Sequence, residues 1–118
     1  MSDWIAKELG ALGELARRVG EDAALSDSLA RICKAARDCL LGGGKLLTFG
    51  NGGSATDAMH LAEELVGRYR GDRRPLPAIC LNTDAGALTC IANDFGYEAI
   101  FARQVTALAR PADMVIAF

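Results

Sequence analysis

The sequence predicts an α/β fold, a doubly wound parallel sheet with two N-terminal helices. Short apolar runs at 46–49, 78–81 and 113–118 have the length and content of strands rather than helices. Amphipathic helical patterns separate those runs, giving the strand–helix–strand–helix–strand order of parallel crossovers. The first of them runs directly into a glycine-rich turn and then a helix, Leu46-Leu47-Thr48-Phe49-Gly50-Asn51-Gly52-Gly53-Ser54, and is the candidate central strand.

The chain has 118 residues, about half of them apolar, enough for one domain with a core. Asp3 is placed to cap a first helix, with Ile5, Leu9, Leu12, Ala16 and Val19 at helical spacing. Two readings of that stripe stand: packing on its own domain, or packing on another subunit. A second helix starts near Ser26 or Asp27 and buries Leu29, Ile32, Cys33, Ala36, Cys39 and Leu40. Gly42-Gly43-Gly44 ends it. Gly44-Lys45 is no P-loop, because neither Ser nor Thr follows the lysine and a strand comes next.

The glycine turn after the first strand lets the backbone approach a ligand closely. Ser54 is the expected N-cap of the following helix, whose free N–H groups and dipole favour an anion such as phosphate. His60 and Glu64, four residues apart, share one face of that helix, and Arg68 extends the same face by another turn. Imidazole and carboxylate are good zinc ligands, although two ligands do not complete a site. Gly50-x-Gly52-x-x-Ala55 also fits a loose dinucleotide pattern, but Asp84 lies too far past the second strand to hold a ribose.

Arg68 to Pro75 is a polar, basic surface loop. Ala78 to Leu81 is a second buried strand, and Asn82-Thr83-Asp84 a turn and helix cap. A short helix from Ala85 to Ala92 is broken by Asn93-Asp94-Phe95-Gly96. A further helix spans Tyr97 to Leu108, and Pro111 closes it. Asp113 to Phe118 begins a third strand.

With a net charge of −2 and no interleaved aromatic series, nothing argues for electrostatic nucleic-acid binding. No apolar segment has the length to span a membrane, and Met1-Ser2-Asp3-Trp4 lacks the form of a signal peptide. Cys33, Cys39, Cys80 and Cys90 form no C-x-x-C pair and read as small buried hydrophobes in a reducing cytoplasm.

At the glycine turn and beyond it, the sequence resembles the sedoheptulose 7-phosphate isomerases (phosphoheptose isomerases) of the sugar-isomerase (SIS) domain superfamily. The resemblance rests on Gly50-Asn51-Gly52-Gly53-Ser54, on Asp57-Ala58-Met59-His60-Leu61-Ala62-Glu63-Glu64-Leu65-x-Gly67-Arg68-Tyr69, on Pro77-Ala78-Ile79, and on Ile91-Ala92-Asn93-Asp94-Phe95-Gly96-Tyr97 with Phe101-Ala102-Arg103-Gln104-Val105. It implies a SIS-type sheet with flavodoxin-like layering. It also implies aldose–ketose isomerisation of D-sedoheptulose 7-phosphate to D-glycero-D-manno-heptose 7-phosphate, a cytoplasmic step toward bacterial lipopolysaccharide heptoses. Carried over residue by residue, it makes His60 and Glu64 zinc ligands and Glu64 the proton-moving base. Asn51, Gly52, Gly53, Glu64, Arg68, Asn93 and Asp94 become substrate contacts. It further implies homotetramers with active sites between subunits.

The family's pattern continues with a Ser/Thr-rich phosphate turn, a glutamine and a histidine that have no counterpart here. The expectation is therefore a single incomplete domain over 1–118, truncated after the third strand, with helices over 1–44 and the first half of the sheet over 45–118. The remaining zinc ligands are expected in the missing part. Alone, the chain is expected to be inactive and, as a monomer, poorly soluble. The alternative is a non-catalytic SIS protein that binds the replication initiator or senses a sugar phosphate. Glu64 favours the enzyme.

Overall fold

A computed structural model describes residues 2–118; Met1, the first residue of the N-terminal stretch, lies outside the described residues. The chain divides into two compact units, one ending at Ala35 and one spanning Ala36–Phe118. The division falls inside the second helix rather than after residue 44. The Cys39 thiol explains the offset, because it donates to Lys45 O at 3.5 Å and Ala112 O at 3.2 Å and so ties the last turns of that helix to the sheet unit.

In the first unit, α1 (Ser2–Glu21) contains Asp3 within its first turn rather than before it. A carboxylate there still complements the helix dipole. The apolar stripe of α1 is not covered: Leu9 is 64% exposed and Leu12 62%, and Ile5, Ala16 and Val19 are exposed as well. α2 (Ala23–Leu41) starts earlier than Ser26, because the Asp22 carboxylate accepts from Leu25 N at 2.9 Å and caps it. Its predicted buried face is exposed at Leu29, Ile32 and Cys33, and half-buried only at Ala36, Cys39 and Leu40.

In the second unit, β1 (Leu46–Phe49), β2 (Ala78–Cys80) and β3 (Met114–Ala117) form a parallel sheet in the order β2-β1-β3, so the strand before the glycine turn is central as expected. Leu47 lies between Ile79 and Val115 in register. Leu47 is fully buried, whereas Ile79 and Val115 are 39% and 40% exposed. The edge strands are thus not wholly buried, which corrects the reading of Ala78 to Leu81.

Helices lie on both faces of β1. Successive strand residues point to opposite sides. Thr48 donates its hydroxyl to Ala58 O of α3 (Gly53–Val66) at 2.8 Å. Phe49 stacks on Phe101 of α5 (Ile100–Leu108), ring centroids 4.5 Å apart. Ala58 and Ala62 meet Cys80 and Ala78, small side chains that allow α3 to lie close on the sheet.

α4 (Ala85–Phe95) is capped by Asp84, whose carboxylate accepts from Ala87 N at 2.9 Å. The expected break at Asn93 is displaced: Asn93 and Asp94 stay helical, and Gly96, at φ +90°, ends the helix. Tyr97–Ala99 form a single 3-10 turn before α5, so the predicted helix over 97–108 is two elements. Of the cysteines only Cys80 is buried; Cys39 is half-buried, and Cys33 and Cys90 are exposed, against the uniform burial expected. Among the described residues, no helix is long and apolar enough to cross a membrane.

Candidate active site

The glycine turn leaves β1 at the carboxyl edge of the sheet, where the 2-1-3 strand order changes direction and ligands of such sheets bind. Gly52 occupies the N-cap of α3 at φ +57° with no side-chain cap, so Ser54 is helical and not the cap. Ser54 N and Ala55 N are bonded to Asn51 O and Gly52 O, each at 3.1 Å. The row of free donors expected at this helix start is therefore shorter. Gly50 tolerates no side chain, because a Cβ there would lie 2.7 Å from Ser54 backbone atoms.

Two residues outside the predicted site set hold this turn. Asn82, after β2, accepts from Gly50 N at 3.1 Å and donates to Gly50 O at 2.9 Å. The Tyr97 hydroxyl donates to Asn51 Oδ1 at 2.8 Å. Asn51, Gly52, Asn82 and Tyr97 line a cleft of about 230 Å³ between the turn and α4. The carboxamide of Asn51, held through its oxygen, keeps its N–H groups as donors.

His60 and Glu64 share a face of α3, as predicted. His60 Nε2 lies 3.2 Å from Glu64 Oε1, with the imidazole 69% exposed and the carboxylate 26%. Both line a groove of about 630 Å³ with Leu61, Leu65, Arg73 and Phe118. Glu63 brings a third ligand atom, 3.9 Å from His60 Nε2, which the spacing argument missed although i,i+3 neighbours share a face. Two donor atoms each ~2.0–2.1 Å from a tetrahedral zinc lie roughly 3.3–3.4 Å apart. The 3.2 Å between His60 Nε2 and Glu64 Oε1 is close to that edge, a spacing compatible with two ligands of one zinc.

Arg68 does not extend this face. α3 ends at Val66 with Gly67 as its C-cap, and Arg68 follows in the loop, exposed. Arg73 instead reaches the end of α3. Asn93 and Asp94 bond each other, Asn93 Nδ2 donating to Asp94 Oδ1 at 2.8 Å, and line neither the cleft nor the groove. Gly53 begins α3 and is exposed. The predicted residues thus form a turn cluster around Asn51 and Gly52, a helix cluster at His60 and Glu64, and an outlying pair at Asn93 and Asp94.

Three kinds of comparison bear on this arrangement. A family model described as the SIS domain matches residues 11–118. The chain is 47% identical to a phosphoheptose isomerase of Geotalea daltonii over 98% of its own length and 59% of the relative's. It is 50% identical to one from a Roseiflexus species over 96% of itself and 56% of the relative. Its structure is similar to phosphoheptose isomerases from Francisella tularensis (TM-score 0.84, 32% identity, 99% of this chain and 61% of that one) and Neisseria gonorrhoeae (TM-score 0.79, 35% identity, 96% and 59%). The chain spans less than two thirds of the length of these relatives.

Proposed function

The chain belongs to the SIS domain family, and on that premise we propose that the protein carrying it is an aldose–ketose isomerase of a sugar phosphate. The proposed reaction converts D-sedoheptulose 7-phosphate to D-glycero-D-manno-heptose 7-phosphate, for heptose units of bacterial lipopolysaccharide, in the cytoplasm. The observation that carries this reading is the Glu64 carboxylate, three-quarters buried on the wall of the groove and 3.2 Å from the His60 imidazole. The similarity to phosphoheptose isomerases supports it.

Isomerisation needs one group that removes a proton from the carbon beside the carbonyl and returns it to the neighbouring carbon through an enediol. A carboxylate does both. Glu64 is that group, held on a helix rather than a loop. Asn51, with the open backbone at Gly52 and Gly53, binds sugar or phosphate oxygens. Asn93 and Asp94, exposed at the end of α4, and Arg68 in the loop are the more distant contacts of a bound substrate.

His60 and Glu64 are the residues that would hold zinc, with Glu63 beside them. Bound there, zinc would stabilise negative charge on the carbonyl oxygen. The proposal includes assembly as a homotetramer; the exposed apolar stripe of α1 is a surface through which copies could associate.

The test is isomerase activity of the protein expressed from its complete reading frame, followed by NMR of the two sugar phosphates. Glu64→Gln keeps the shape and removes the base. It is expected to lower kcat about 10²–10⁴-fold while sugar-phosphate binding persists. Absence of turnover in the unmutated protein, with tight binding of a replication initiator, would select the non-catalytic alternative.

A further inference from the structure

The last carbonyls of an α-helix have no partners within it and must find them elsewhere. In α3 they find them in the loop that follows. Gly67 N donates to Glu63 O at 2.7 Å, and Leu76 N to Leu65 O at 2.9 Å. The Arg73 guanidinium reaches two of them, those of Glu64 and Leu65. Its Nη2 donates to Glu64 O at 2.5 Å. Its Nη1 is shared among Leu65 O at 2.9 Å, Arg74 O at 3.0 Å and Gly67 O at 3.3 Å. The side chain is half-buried and lines the same groove as His60 and Glu64.

We propose that Arg73 is a positioning residue for Glu64, and that its cation is committed to the helix end rather than to the substrate's phosphate. It holds the main chain of the very residue whose carboxylate faces the groove. A shift of the last turn of α3 moves that carboxylate relative to His60, and a misplacement of about 1 Å at a reacting group can cost ~10²-fold in rate. The guanidinium fork suits the geometry: its two η nitrogens reach two successive carbonyls at once, Nη2 that of Glu64 and Nη1 that of Leu65. A lysine, as a point charge, cannot span them. The positive charge also faces the negative end of the helix dipole. Both η nitrogens already face main-chain acceptors, so an incoming phosphate would have to displace them. The role assigned to Glu64 rests on the isomerase reading; the clasp itself does not.

Arg73→Lys retains the charge and removes the fork. His60 is the sole histidine of these 118 residues, so its imidazole resonances report the His60–Glu64 geometry directly. The experiment compares His60 resonances, kcat and KM in the unmutated protein, Glu64→Gln and Arg73→Lys. Arg73→Gln, which keeps one planar donor arm, serves as the second variant should the lysine fail to fold. The expected result is that the Arg73 variant moves the His60 signal toward that of Glu64→Gln. With it, kcat falls about 10–100-fold and KM stays within about threefold. An unchanged His60 signal and kcat in a folded variant overturns the proposal. So does a large rise in KM with kcat unchanged, which would make Arg73 a phosphate anchor. If the unmutated protein shows no turnover while the His60 signal still follows Arg73, the isomerase reading fails and the positioning role stands.

Discussion

The two edges of the parallel sheet are held by different chemistry. At the carboxyl edge the contacts are neutral: Asn82 bonds both backbone groups of Gly50, and Tyr97 bonds Asn51. At the amino edge they are charged. Asp113, whose side chain is only 3% exposed, accepts from Lys45 N at 2.9 Å, from Arg110 N at 2.7 Å and from the Lys45 ammonium in an ion pair. Nearby, Arg73 closes the end of α3. The carboxyl edge is built from glycines and amides around a cleft, leaving space and uncommitted donors. The amino edge is instead held by a largely buried ion pair.

The largest effect is expected where β1 enters the sheet. A Cβ on Gly44 would lie 2.1 Å from Ala112 O, a backbone atom that cannot yield, against 2.7 Å from Ser54 for Gly50 at the other end. Gly44→Ala is expected to destabilise by at least the ~1–3 kcal/mol of an overpacked core, and by more than Gly50→Ala. Urea unfolding of the two variants ranks the edges, and the reverse order would break the contrast. Next comes Asn82→Ala, which leaves both polar groups of Gly50 without their protein partner. It should cost about 1–3 kcal/mol by the same measurement, together with weaker sugar-phosphate binding.

The smallest effect concerns acid. The Lys45 ammonium, then the Lys45 and Arg110 backbone N–H groups, hold the Asp113 carboxyl below its ordinary 3.8, at about 2. A carboxylate with a depressed folded pKa contributes stability that is present above its unfolded value and lost as pH falls through the folded one. The melting temperature should therefore decline between about pH 4 and pH 2 beyond what other groups impose. Asp113→Asn should flatten that limb and leave the carboxyl edge unaffected. An identical acid limb in both proteins would show that Asp113 is not the group responsible.

Much of this was legible where the signal is local. The apolar run at β1, the turn that follows it and the Asp84 cap each depend on residues within a few positions. The His60–Glu64 pair is legible for the same reason, since helical periodicity fixes it. Arg68 was misplaced because the four-residue rule assumes a helix that continues, whereas Gly67 ends α3. Asn82 and Tyr97 act on residues 32 and 46 positions away. Only the folded sheet brings them there, and a lone asparagine or tyrosine in sequence carries no mark of its partner. The stripes on α1 and α2 show the converse. Their periodicity is correct, yet Leu9, Leu29 and Ile32 remain exposed, because amphipathicity declares a buried face without saying what covers it.

The pairing of β1 has a consequence for the timing of synthesis. Lys45 at the start of β1 and its partner Asp113 are 68 residues apart. The central strand is made before either neighbour, and its β3 side closes only once residues 114–117 have left the ribosome. At ~5–20 residues per second that interval is roughly 3–14 s. Throughout it Leu47, fully buried in the finished sheet, has an open flank, so the nascent chain passes through a window in which chaperone capture competes with strand pairing.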